Sequence, residues 1–160
     1  MGRIRYTPGD LVTPLIFALV AGLIGQCAQL MRLLANPEPI VQAMRTVPEL
    51  SHWSPSLFIL CMLPLLPIAL LMGLFLKSWV SHALLKMVGA TQGPFETTFR
   101  IFAYAEVASI LLLMPTFGIL AQKFLVVFLI LNGVRFAHGA GLGAGILAIL
   151  PMLVVQVLGG

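Results

Sequence analysis

Residues 90–155 read ATQGPFETTFRIFAYAEVASILLLMPTFGILAQKFLVVFLILNGVRFAHGAGLGAGILAILPMLVV, and this stretch decides the fold. Three long apolar runs fill it, and isolated cations border each run. Charged side chains are almost absent inside the runs, with Glu106 as one of the few exceptions. A soluble domain of this size cannot hide so much apolar surface, because small folds leave a large fraction of their area exposed to solvent. The stretch therefore predicts an integral membrane protein.

The composition of the whole chain of 160 residues leads to the same prediction. Hydrophobic residues make up 60% of the chain and charged residues only 9%, whereas soluble domains carry roughly a quarter charged residues. The formal net charge is +4. The lysines and arginines stand singly at the ends of apolar runs and form no basic stripe, so they indicate membrane topology and not nucleic-acid binding.

The apolar runs predict an all-α fold, a helical bundle of about five transmembrane helices in one membrane domain over residues 1–160. A helix needs about 20 apolar residues to cross the hydrocarbon core. The predicted spans are residues 11–34, 57–76, 99–114, 117–137 and 141–158. The third is short, and Pro115 and Thr116 leave room only for a tight hairpin before the fourth.

The distribution of cations predicts the orientation, because cytoplasmic loops carry an excess of lysine and arginine. With a cytoplasmic amino terminus and a carboxyl terminus outside, six cations lie on the cytoplasmic side and three on the other. The first set is Arg3, Arg5, Lys77, Lys86, Arg100 and Arg135, and the second is Arg32, Arg45 and Lys123. In a bacterial chain, this membrane is the cytoplasmic, or inner, membrane.

Two segments next to the second span are expected at the membrane surface. In residues 35–55, prolines forbid one continuous helix, and Ile40, Val41 and Met44 share a helical face, which predicts a short surface helix. Residues 77–88 extend the second span with a polar stripe that includes His82 and Lys86. We expect this stripe to be a solvated face. Neither it nor His138 has the spacing of a metal site.

Glu106 is the sharpest polar feature of the sequence. An ionised carboxylate is costly inside a membrane, so this side chain is expected to face the bundle interior, protonated or paired. Ser109 shares its helical face. Candidate partners on other spans are Gln26, Gln29, Asn132 and Arg135. Glu106 is then either a proton or cation site or, as we favour, a structural hydrogen-bonding group between helices. The first alternative would make the protein a small transporter or channel component, with Pro64 and Pro67 breaking the second span.

Glycines at four-residue spacing predict close helix packing. Gly139, Gly141 and Ala144 fit a loose dinucleotide pattern, but that fingerprint needs a preceding strand and a later acid, which are both lacking. In lipid, small residues at this spacing allow helices to approach closely. We therefore expect Gly141 and Gly145 to lie in a helix contact, either inside the bundle or in a homo-oligomer or with another membrane protein.

Catalytic patterns are absent from the sequence. It contains no nucleophile elbow, no zinc-protease helix and no nucleotide loop. Cys27 and Cys61 stand alone, with no spacing that demands a disulfide. The sequence thus predicts a protein that is not an enzyme and that carries no metal or cofactor.

Short motifs in the second half of the chain resemble the Yip (Ypt-interacting protein) domain family of five-span membrane proteins. They comprise a glycine loop, a pair of motifs at the start of the third span, a tight hairpin, a segment after the fourth span and a proline in the last span. Their residues are Gly89, Gly93, Phe95, Arg100, Tyr104, Pro115, Gly118, Gly133, His138, Gly139 and Pro151.

The resemblance implies a helical membrane bundle with a cytoplasmic amino terminus. Eukaryotic relatives act in vesicle trafficking and bind small prenylated GTPases, partly through long amino-terminal regions. Only about ten residues precede the first predicted span here, so we do not expect a small GTPase as partner, and the chain looks more like bacterial members. Family members often carry a proline soon after the Ala103-Tyr104 pair. Glu106 and Val107 follow here instead, which predicts a straighter third span. The resulting hypothesis is a non-enzymatic membrane protein that organises membrane partners or lipids.

Overall fold

A computed structural model describes residues 11–47, 49, 52–91 and 93–158, and the side-chain surroundings as far as residue 150. Helices make up 85% of it, and the described residues form no strand. The α-helices are α1 Val12–Ala35, α2 Glu38–Arg45, α3 Pro55–Met62, α4 Leu66–Met87, α5 Phe95–Ala105, α6 Gly118–His138 and α7 Leu142–Leu158. The predicted all-α helical bundle is confirmed.

Among the described residues, three helical stretches are long and apolar enough to cross a membrane: Val12–Ala35, Pro55–Met87 and Gly118–His138. The shorter α7 has 17 residues. The predicted third span is not one α-helix, because α5 changes at Glu106 into a 3₁₀ helix, Glu106–Leu113, called here the 3₁₀ segment. A 3₁₀ helix rises about 2.0 Å per residue, so α5 and the 3₁₀ segment together extend over roughly 32 Å, close to the thickness of a hydrocarbon core. The number of five spans stays a prediction.

The two ends of the bundle are distinguished here by the direction of α1. We call the end at which α1 begins the near end, and the end at which α1 finishes the far end. Thr13, Thr97 and Ala137 line one cavity, which places the start of α5 and the end of α6 at the near end. At the far end, the Arg32 guanidinium donates hydrogen bonds to the carbonyls of Leu112 and Met114, where the 3₁₀ segment stops.

The small-residue face of α1 packs against the 3₁₀ segment and α4. Ala18, Ala21 and Gly22 are buried on this face, and so is Gly25. A Cβ atom built on Gly25 would lie 2.6 Å from the Ser109 carbonyl oxygen, nearer than real Cβ atoms come. The backbones of α1 and the 3₁₀ segment therefore touch at a point where only glycine fits.

The short helix predicted within residues 35–55 and the predicted break in the second span are both present, and the place of this helix at the membrane surface stays a prediction. In α2, Ile40 and Met44 are buried against Ile59 of α3. Between α3 and α4, Leu63–Leu65 forms a single 3₁₀ turn around Pro64. Proline removes one backbone donor and clashes with the preceding turn, which explains the interruption.

Most of the polar stripe on the last turns of α4 points into the bundle, and only Lys86 at its end is exposed, so the expectation of a solvated face is wrong for Ser78, Ser81 and His82. Ser78 and Ser81 are 0% exposed, whereas Trp79 is 64% and Met87 is 82% exposed. The Ser81 hydroxyl donates to the Ala148 carbonyl of α7 at 2.7 Å. Inside a membrane the protein interior offers polar groups the partners that lipid lacks, so a helix turns its apolar face outward.

Glycines end both helices that stop at the near end. After α4, Gly89 has a φ of +66°, the Gly89 amide donates to the Lys86 carbonyl and the Ala90 amide to the Leu85 carbonyl. This is a Schellman cap, in which glycine avoids the Cβ penalty of a left-handed conformation. Gly139 follows α6 with a φ of +62°.

Candidate functional sites

An ion pair lies in the middle of the bundle. The Lys77 ammonium of α4 donates to the Glu106 carboxylate at 3.0 Å, and their side chains are 31% and 18% exposed. The Ser109 hydroxyl donates to the other carboxylate oxygen at 3.2 Å. Lys77 lies ten residues before the end of α4, which is about 15 Å from the near end.

The partners expected for Glu106 on other spans lie elsewhere. The Asn132 amide donates to the Phe128 carbonyl of its own helix at 2.8 Å. Arg135 is exposed on α6. Within the described part of the chain, no hydrogen bond joins Gln26 or Gln29 to Glu106. Of the predicted polar site, only Glu106 and Ser109 are brought together.

The space beside Glu106 is small. A cavity of about 10 Å³ touches its side chain, between Ala18 and Leu19 of α1 and Leu70, Leu71 and Leu74 of α4. A cavity needs about 10–15 Å³ on this measure to hold one water molecule. This cavity therefore has room for one water at most.

A second polar cluster connects three helices at the near end. Thr98 Oγ1 lies 2.9 Å from Nδ1 of His82 and 3.1 Å from Nε2 of His138. His138 is only 1% exposed. A hydroxyl carries one proton, so it can donate to one of these imidazoles while it accepts from the other. The two histidines and the threonine join α4, α5 and α6, which corrects the expectation that the histidines are solvated.

We call the cluster of His82, Thr98 and His138 the near-end clamp, because its hydrogen bonds join three helices. Phe95 covers it, with its ring edge-to-face on His82 at a centroid distance of 5.8 Å. Among the described residues, no group of three or more His, Cys, Asp and Glu side chains could hold a metal ion. The arrangement can order the near end through a directional chain of hydrogen bonds.

A groove of about 450 Å³ opens beside this clamp, between α1, α5 and α6. We call it the near-end groove. Its wall includes Thr13 of α1, Thr97, Arg100 and Tyr104 of α5, and Leu129 and Gly133 of α6. The Tyr104 ring also packs on Phe17 at a centroid distance of 5.5 Å. The groove thus combines a cation, hydroxyl groups and apolar surface in one place.

The other glycines of the predicted family motifs lie where two segments of the chain come close together. A Cβ on Gly118 would lie 2.2 Å from the Leu111 carbonyl oxygen in the hairpin that begins with Pro115, and a Cβ on Gly133 would lie 2.6 Å from Ile101 Cγ2. A Cβ on Gly93 would lie 3.2 Å from Thr97 Oγ1. Packing explains the glycines at positions 118 and 133, whereas the contact at Gly93 is looser.

Gly141 and Gly145 differ, although the sequence had suggested one role for both. A Cβ on Gly145 would lie 2.9 Å from Leu131 Cδ2 of α6, whereas a Cβ on Gly141 would meet no described atom within 4 Å. Gly141 therefore makes no close contact with another described helix of its own chain, and its contact in a homo-oligomer or with another membrane protein stays a prediction. Pro151 lies in α7, beyond the last described side chain.

Sequence reasoning missed Lys77 and Thr98 as members of these clusters. Both are far along the chain from their partners, since 29 residues separate Lys77 from Glu106 and 40 separate Thr98 from His138. One signal was available: the helix face opposite the polar stripe carries Trp79 and Met87, which suit lipid better than a protein interior.

Comparison with known proteins points to one family. The family model described as Yip1 domain matches residues 1–160, which is the whole chain. No curated protein and no solved structure matches it.

Proposed function

This chain belongs to the Yip1 domain family of membrane proteins, and from that premise we propose that it organises lipids or partner proteins in the membrane without catalysing a reaction. Such a role needs a binding surface that is open to the membrane or to its edge. It needs no set of reacting groups.

The near-end groove is the observation that carries this proposal. Most motif residues have a packing or capping role, as Gly89, Gly118 and Gly133 show. Arg100 and Tyr104 are different, because their side chains line an open cavity. Polar side chains that line a cavity are typical of binding sites. The groove is therefore where we place the contact with a lipid or a partner.

We also propose that the near end faces the cytoplasm. Lys86, Arg100 and Arg135 belong to near-end helix turns, as the excess of cations on the cytoplasmic side requires. The amino and carboxyl termini, at which the predicted orientation would be read directly, lie outside the described residues.

The transporter alternative has no support in the surroundings of Glu106. Its carboxylate is engaged by Lys77 and Ser109, and the cavity beside it has room for one water at most. Polar side chains that bond across membrane helices also hold those helices together. We assign the ion pair to the stability of the bundle.

Purification in a mild detergent, followed by identification of bound lipids and proteins, tests the proposed function. We expect the tagged wild-type chain to retain a defined lipid class or protein. An Ala137→Leu variant, which narrows the groove, should retain less of it. An unrelated membrane protein purified in parallel supplies the background. If the wild-type chain retains nothing above that background, the proposed role is wrong.

A further inference from the structure

Asn132 lies on the side of α6 that faces away from the bundle. It is about 200° of helix rotation from both Ile130 and Val134, which are buried against the other helices. Phe128 and Phe136 lie one turn before and one turn after it on the same face, and they are 61% and 87% exposed. We call the face of Phe128, Asn132 and Phe136 the outer face of α6.

The position of Asn132 along α6 places its amide at membrane depth. The helix ends at His138, six residues later, which corresponds to about 9 Å along the axis. The whole of α6 is long and apolar enough to cross a membrane. A polar side chain on its outer face therefore meets acyl chains and not water.

The hydrogen-bonding capacity of this amide is only partly used by the described residues. An asparagine side chain carries two N–H donors and one carbonyl oxygen. One N–H donates to the Phe128 carbonyl at 2.8 Å, and no described residue pairs with the other N–H or with Oδ1. Acyl chains offer neither a donor nor an acceptor, and a polar group left unsatisfied in lipid is costly. The outer face thus calls for a polar partner.

A second copy of the chain supplies both missing groups. The unused N–H and Oδ1 of Asn132 are a donor and an acceptor on one side chain. Across a two-fold axis, each amide donates to the Oδ1 of the other, so one residue satisfies both copies. The rings of Phe128 and Phe136 would then pack against the partner helix on either side of the amides. A lipid head group lies at the membrane surface and does not reach this depth.

The cation nearest to this face does not oppose such a pair. Arg135 is exposed, three residues after Asn132, which places it about 60° around the helix. A two-fold axis along the membrane normal puts the two guanidinium groups on opposite flanks of the helix pair. From there the long side chains extend toward the membrane surface.

We propose that two copies of the chain associate through the outer face of α6, with their Asn132 amides hydrogen-bonded to each other. The inference goes beyond the proposed function and uses a separate surface, because Gly133 and Ala137 of the near-end groove lie on another side of α6. The result of the purification experiment above does not decide it.

Single-molecule photobleaching of the labelled full chain in liposomes, over a range of protein-to-lipid ratios, tests the proposal. We expect an equilibrium between monomer and dimer. Asn132→Leu should raise its dissociation constant by about tenfold or more, because two interhelical hydrogen bonds are lost. Asn132→Gln keeps an amide and should retain most of the association. Gln122→Leu removes a different amide of α6 and is the matched control, which should associate as the wild type does.

Cysteine crosslinking keeps the test decisive if Asn132→Leu does not fold. In a Cys27→Ser, Cys61→Ser background, Phe128→Cys lies on the outer face, and Leu76→Cys lies on the exposed side of α4. Oxidation in liposomes should crosslink Phe128→Cys into a dimer several times faster than Leu76→Cys. Equal crosslinking of the two positions would overturn the proposal. So would a wild type that stays monomeric at every ratio, or a folded Asn132→Leu that associates as tightly as the wild type.

Discussion

The two ends of the bundle are built by different means. From the middle of the bundle to the far end, backbones touch: Gly25 lies against Ser109 and Gly118 against Leu111, and Arg32 binds the last carbonyls of the 3₁₀ segment. At the near end, side chains make the contacts, through the clamp of His82, Thr98 and His138 and through the walls of the groove.

This difference indicates which positions serve stability and which serve binding. A backbone contact leaves no space for an added atom, so the far end should respond to any increase in side-chain size. The near end holds a cavity whose walls can change with less cost in free energy. Substitutions there should alter what the protein binds more than how stably it folds.

The largest expected effect comes from Gly25→Ala. The new Cβ would lie 2.6 Å from the Ser109 carbonyl oxygen, and the overpacking should lower the free energy of unfolding by about 3 kcal/mol. Gly73→Ala is the matched control, because this glycine also lies inside a helix and has no atom within 4 Å of a Cβ. It should be neutral, or stabilising by up to about 1 kcal/mol through helix propensity. Thermal unfolding in detergent compares the two, and equal effects would refute the backbone contact.

A smaller effect is expected when the ion pair in the middle of the bundle is broken. Glu106→Gln can still accept from Ser109 but leaves the Lys77 ammonium without its carboxylate, at a cost of about 1–3 kcal/mol in unfolding free energy. The double variant Lys77→Met with Glu106→Leu removes both charges. Its loss of unfolding free energy should be smaller than the sum of the losses measured for Lys77→Met alone and Glu106→Leu alone. Additive effects would mean that the two groups do not interact.

The next largest expected effect is the difference in unfolding free energy between Gly145→Leu and Gly141→Leu. The first substitution forces a side chain against Leu131, whereas the second enters open space. We expect Gly145→Leu to lower the unfolding free energy by about 1–2 kcal/mol and Gly141→Leu to leave it nearly unchanged. A loss in Gly141→Leu alone would place the helix contact at Gly141, and chemical crosslinking of the purified chain would then locate its partner.

The smallest effect is expected at the near-end clamp. Thr98→Val keeps the shape of the side chain but removes the hydroxyl that meets both histidines, which should cost about 1 kcal/mol. Thr98→Ser retains the hydroxyl and is the control. The clamp has no energetic role if Val and Ser give the same unfolding temperature.

The sequence predicted local features well. Apolar runs located the long spans, prolines located the break at Leu63–Leu65, and the face of Ile40 and Met44 located α2. The Glu106–Ser109 contact follows from a spacing of three residues along one helix. All these features depend on neighbours in the chain.

Contacts between distant helices were not predictable in the same way. Helical periodicity shows that a residue faces inward, but it does not show which helix it meets. Gln26 and Asn132 were therefore as good candidates for Glu106 as Lys77, which the polar stripe had placed at the surface. The change to a 3₁₀ helix at Glu106 was also unforeseen, because no proline or glycine marks it.

The central claim is that the two ends lie on opposite sides of the membrane, joined through α5 and the 3₁₀ segment. Labelling of single cysteines with a membrane-impermeant maleimide tests it most directly, at Thr91 after α4 and at Thr116 in the far-end hairpin. The background is Cys27→Ser with Cys61→Ser, because both native cysteines are exposed. We predict labelling of Thr91→Cys only from the cytoplasm and of Thr116→Cys only from outside. Labelling of both positions from the same side would contradict the account.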